Sequence, residues 1–89
     1  MNLSFPNPSR SFDASANRVR FWGYDSAIEV SFFVEQDALQ KLCPRMSKAE
    51  AGFLAAFDAS RERIEQVAGE VYLRGDGQTY TYRLTAEQF

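Results

Sequence analysis

The chain has 89 residues, ten basic and twelve acidic side chains for a net charge of −2, no histidine and one cysteine. A length of this order makes one domain, residues 1–89, with a modest core, and the slightly acidic balance speaks against general polyanion binding, which shows as a strongly basic domain. Without histidine there is no Ser-His-Asp or Cys-His catalysis and no His-ligated metal, and a lone Cys43 rules out an intramolecular disulfide and Cys-rich metal sites.

In chain order, Leu3 and Phe5 alternate as in a short strand that Pro6 ends. "NPSR", with Asn7 and Pro8, reads as a turn, and Phe12 begins another brief extended piece. Arg10 and Asp13 are expected to pair across this region and tie the N-terminal arm to the sheet.

"RVRFWGYDSAIEVSFFV" predicts a hairpin. Val19 and Phe21 point to one side of the first strand, and Arg18, Arg20 and Trp22 to the other. In the second strand Ile28, Val30, Phe32 and Val34 share a face, opposite Glu29, Ser31 and Phe33. A two-residue loop at Asp25–Ser26 pairs Phe21 with Val30 and Val19 with Phe32. The same register sets Trp22 opposite Glu29, Arg20 opposite Ser31 and Arg18 opposite Phe33.

"EQDALQKLC" predicts a short helix stopped by Pro44. In "SKAE", Ser47 as N-cap and Glu50 three residues on form a capping box. Behind it Phe53, Phe57, Ser60, Ile64, Val67 and Val71 make an apolar stripe. Unbroken to Tyr72, that helix measures roughly 36 Å, long enough in so small a domain that a bend or an overhang is expected. Gly75 suits the helix end and Gly77 a turn; the rival is a hairpin of "EVYLR" and "TYTYRL". Thr79–Leu84 reads as a strand and "TAEQF" as a capped final turn.

Several motifs resemble a known family. They are "FP" at Phe5-Pro6, "R-x-F-D" at Arg10 to Asp13, "V-x-F" at Val19 to Phe21 and "I-x-V-x-F" at Ile28 to Phe32. "E-x-x-F-L-x-A-F-x-x-x-R-x-x-I" follows from Glu50 to Ile64, and "Y-R-L-T-x-x-x-F" from Tyr82 to Phe89. In this order they resemble the small bacterial proteins of domain of unknown function family 1488. The resemblance implies an α+β fold and carries over no catalytic or binding residue.

The fold class expected is α+β: an antiparallel sheet of about four strands against one long and one short helix, in the order β-β-β-α-α-β. No Gly-rich phosphate loop is present, and no cofactor or metal is expected. Cys43 beside Arg45 reads as a small packing residue rather than a reactive thiol. Asp58, Glu62, Glu65 and Glu70 read as a solvated helix face rather than an acid pair. Arg74-Gly75-Asp76 reads as a turn rather than an adhesion motif. No charged segment followed by an apolar run opens the chain, and no run of about 18 apolar residues exists, so a cytoplasmic protein without a membrane span is expected.

What remains is the face carrying Arg18, Arg20, Trp22, Glu29 and Phe33. As an ordinary half-wet sheet face, it has arginines stacked on Trp22 or Phe33, with Arg18 or Arg20 meeting Glu29. As an interaction surface, it offers the residues enriched in binding hot spots, to an unidentified protein partner or to a second copy in a homodimer. As a weak single-stranded nucleic-acid binder, it stacks bases on its aromatics, which the acidic total opposes. The function expected is a non-enzymatic interaction or regulatory accessory module, with nucleic-acid binding as the alternative.

Overall fold

The hairpin organises the molecule. The computed structural model describes residues 3–6, 8–75 and 79–89. In it β3 (Arg18–Asp25) and β4 (Ile28–Glu35) pair antiparallel along eight residues each. The inner residues Val19, Phe21, Val30, Phe32 and Val34 are at most 1% exposed. The faces are as the alternation dictates, but the register is displaced by two residues. Phe21 faces Phe32, Val19 faces Val34, and Gly23 faces Val30; Trp22 meets Ser31, Arg20 meets Phe33, and Arg18 meets Glu35. A strand's side chains repeat every two residues, so a two-residue slip leaves every face unchanged and the pattern cannot detect it. The turn makes the choice: Ser26 takes a left-handed φ of 56°, so the loop is Ser26–Ala27 rather than Asp25–Ser26. Ile28 thereby sits beside the turn, 47% exposed.

Two strands share the other edge of β3. β1 (Leu3–Ser4) pairs with Tyr24 and Asp25, and β2 (Arg10–Asp13) with Arg18 to Phe21. Between β2 and β3, Asp13 accepts hydrogen bonds from the backbone N–H and hydroxyl of Ser15, and Asn17 closes the turn at φ 52°. Asn tolerates that left-handed conformation better than most residues. The turn expected at Asn7 lies outside the described residues.

From β4 the chain enters α1 (Gln36–Leu42) directly, with Glu35 as N-cap. The single long helix expected is two, α2 (Glu50–Ala59) and α3 (Arg61–Arg74), broken at Ser60 (φ −116°, ψ 16°). That is the expected bend, placed where the stripe carries a serine. Nor does the capping box form. α2 starts behind Ala49 with Glu50 as its first residue and no side-chain cap, and Ser47 Oγ accepts the Ala49 N–H instead. Residues 70–74 are helical, which removes the rival hairpin, and the Gly75 N–H donates to the Tyr72 carbonyl at the helix end. The turn expected at Gly77 falls outside the described residues.

β5 (Thr81–Leu84) then lies beside β4 and parallel to it. The sheet is therefore mixed and five-stranded, and not wholly antiparallel with about four strands. The helices carry the chain back to the end where β4 began, and parallel neighbours need such a crossover. A 3-10 turn, Ala86–Gln88, is capped by Thr85, whose hydroxyl accepts the Glu87 N–H while Gln88 Oε1 accepts the Thr85 N–H. All described elements form one core: Phe53, Ala56, Phe57, Ile64, Val67, Ala68 and Tyr72 from the helices meet Leu84 and the inner faces of β3 and β4. Phe57 lies 5.1 Å from the Phe21 ring and Phe53 5.1 Å from Phe12.

Candidate functional site

The helices cover one face of the sheet. The opposite face is formed by Ser11 and Asp13 from β2, Arg18, Arg20, Trp22 and Tyr24 from β3, Glu29, Ser31, Phe33 and Glu35 from β4, and Thr81 and Arg83 from β5. None of these residues is fully buried. The five residues singled out from sequence, Arg18, Arg20, Trp22, Glu29 and Phe33, all lie on it.

Its charges are organised in rows across the strands. In the first, Arg18 Nε donates to Asp13 at 2.8 Å and Arg18 Nη1 to Glu35 at 3.1 Å, while Arg83 Nε reaches Glu35 at 3.4 Å. Asp13, Arg18 and Glu35 share this row as negative, positive, negative; Arg83 stands in the next row beside Phe33, and its guanidinium reaching back to Glu35 extends the alternation. The Ser15 hydroxyl and the Arg18 guanidinium hold the Asp13 carboxyl below the usual carboxylate range, and Asp13 in turn raises Arg18. In the next rows Arg20 Nη2 bonds Ser31 at 2.9 Å and Glu29 at 3.1 Å. Two of the arginines also lie over rings: Arg18 is 3.9 Å from the centroid of Phe33, and Arg20 4.6 Å from that of Trp22. Such stacking lets an arginine shield an aromatic while keeping its charge near water.

Glu35 and Arg83 also stand on this face without a signal in the sequence that set them there, as does Asp13, expected instead in a bridge to Arg10. The two-residue slip hid Glu35, because the expected register left Arg18 opposite Phe33. The expected Arg10–Asp13 bridge does not form. Residues three apart in a strand point to opposite faces, and Arg10 instead grips Asp58 on α2 with two bonds, at 3.0 and 2.8 Å. That contact holds the Asp58 carboxyl low and raises Arg10. Arg61 joins the same clamp through the Pro8 carbonyl at 2.7 Å.

Elsewhere, an open depression of ≈ 620 Å³ lies at the α2–α3 junction, lined by Asp58 to Arg63. Cys43 is half-buried beside Ser60, its Sγ 3.6 Å from the hydroxyl. Among the described residues no group of three or more His, Cys, Asp or Glu side chains is placed to hold a metal, and no helix is long and apolar enough to cross a membrane.

The family model described as "Protein of unknown function (DUF1488)" matches residues 3–84, nearly the whole chain. The chain belongs to that family. No curated protein and no solved structure matches it. The family description names no activity, so DUF1488 membership leaves the functional reading to the geometry of this face.

Proposed function

We propose that this chain is a non-enzymatic interaction module, a regulatory or accessory protein of the cytoplasm that binds a protein partner through the open face of its sheet. The observation that carries the reading is a five-stranded sheet roofed on one side only, with Trp22, Tyr24 and Phe33 set among arginines on the other. Aromatic residues and arginine are the side chains most enriched where proteins bind one another. The charge balance favours a protein over a nucleic acid. Three guanidinium groups, Arg18, Arg20 and Arg83, stand against three carboxylates, Asp13, Glu29 and Glu35, and each of these arginines is paired. A surface for phosphates needs a net excess of unpaired cations. Arginines already stacked and paired also need little further ordering on binding.

A photo-reactive amino acid placed at Ser31, on the open face, tests this in the native host against the same group at Glu62 on α3. Crosslinks to protein from Ser31 and not from Glu62 support the reading. Equal crosslinking from both positions, or crosslinks from Ser31 to nucleic acid alone, contradict it.

A further inference from the structure

The open face is complementary to itself, and we infer that its partner is a second copy of this chain. This deepens the interaction reading above and rests on it. The strands run in the order β2, β3, β4, β5. A two-fold axis running roughly along the strands, between β3 and β4, lays a second sheet face to face on the first. It sets β3 over β4 of the copy and β2 over β5. Isologous contacts of this kind are the commonest in homo-oligomers.

Every row of the face is matched under that one axis. In the first row Arg18 lies over Glu35 of the second copy. By strand position Arg83 stands beside Phe33, one row on, and its guanidinium reaches back to Glu35 and so toward Asp13 of the second copy. In the second row, Arg20 lies over Phe33, an arrangement of cation over ring like the one Arg18 makes with Phe33 within the chain. In the third, the bulk of Trp22 meets the small Ser31. In the fourth, the Tyr24 phenol, a donor, meets the Glu29 carboxylate, an acceptor. An axis perpendicular to the sheet cannot bring the faces together, and an in-plane axis across the strands lays β3 on β3, where Arg18 and Arg20 face only their own strand's side chains. The alternation of charge across four strands is thus antisymmetric about the one line that makes it self-complementary.

Two central strands of eight residues and two outer strands of four, about 4.8 Å apart and with about 3.3 Å per residue, give roughly 400 Å² of facing area per copy. That is at the small end of specific interfaces, so the dimer is a weak one, with a dissociation constant of roughly micromolar or above. Its contacts at the rim are ionic, so it loosens with salt.

Sedimentation equilibrium on the whole chain, from about micromolar to near-millimolar concentration, measures it. Arg83 is 65% exposed in its side chain, so Arg83→Glu leaves the fold intact. It sets Glu against Asp13 twice in each dimer, and weakens association at least about tenfold. Asp13→Arg opposes Arg83 twice with the same effect. Mixing the two variants restores association, because in the mixed dimer one contact is Glu with Arg and the other is Asp13 with Arg83. Should Asp13→Arg fail to fold, the Arg83→Glu result and the salt dependence stand as the test. A monomer at every concentration overturns the inference, and so does a dimer indifferent to Arg83→Glu. A monomer whose Ser31 position still crosslinks to a different protein overturns the homodimer and leaves the interaction reading standing.

Discussion

The ring of Phe5 fills the space that a side chain at Gly23 would need: its Cε1 lies 2.8 Å from where a Cβ at Gly23 would stand, and the Ser4 carbonyl oxygen 2.7 Å from it. Phe5 comes from the segment after β1, where the first edge strand breaks, and its ring reaches Phe21 and Phe32 at 5.8 and 6.1 Å. Glycine in β3 is thus the condition for a ring from the N-terminal arm to enter the core.

Gly23→Ala forces that contact apart. Because backbone as well as ring must move, a loss of about 1–3 kcal/mol is expected in denaturant unfolding. With Phe5→Ala in the same chain the two losses are not additive, with a coupling of at least about 0.5 kcal/mol. Simple additivity contradicts the contact.

Phe57 is fully buried and touches Phe21 from α2. Phe57→Ala should cost about 3–5 kcal/mol, most of the stability of a small domain. Glu62→Ala, on the exposed side of α3, should change the unfolding midpoint little. An unchanged midpoint for Phe57→Ala means the helices do not roof the sheet through this ring.

The Tyr72 phenol donates to Asp25 at 2.6 Å, tying the end of α3 to the end of β3. The bond to Asp25 and burial push its pKa up to about 12. A raised folded value means the contribution is complete below the unfolded value near 10 and is lost as pH rises through about 12. Absorbance titration should therefore show a late-ionising phenol contribution in the wild type that is missing in Tyr72→Phe. Equal amplitude in the two proteins near pH 12, or a difference already complete near pH 10, contradicts the bond.

Asp58 is held low by Arg10, so the sign runs the other way. The clamp contributes above the unfolded carboxylate value near 4 and is lost as pH falls through the depressed folded value. Arg10→Met should lower stability slightly at pH 7, since both side chains are partly exposed. Once the pH falls below that depressed value the variant and wild type should converge, and a difference that persists there assigns the effect to something other than the ion pair.

Much of this was legible in the residues. Alternation in Arg18 to Val34 is enough to sort the faces, and the Phe53–Phe57–Ile64–Val67 stripe is enough to find the helices that cover one of them. What was not legible has a common cause: it depends on groups brought together by the turn or the crossover. The hairpin register required knowing that Ser26 takes a left-handed φ. The parallel placement of β5 required knowing where α3 ends. The break at Ser60, where α2 ends, and the failure of the Ser47 cap, before α2 begins, are places where tertiary context overrides a local signal. Arg10 chose Asp58 because its strand faces the helices, which spacing along the chain does not reveal without the face assignment of β2.

On the function proposed above, a partner covers the side of the sheet away from the helices in the working protein. Hydroxyl-radical footprinting in host cells, compared with dilute purified protein, tests it most directly. Slower oxidation of Trp22 and Phe33 is expected in cells, with Leu73, 64% exposed at the end of α3, labelled alike in both. Equal labelling of Trp22 in the two settings would contradict it.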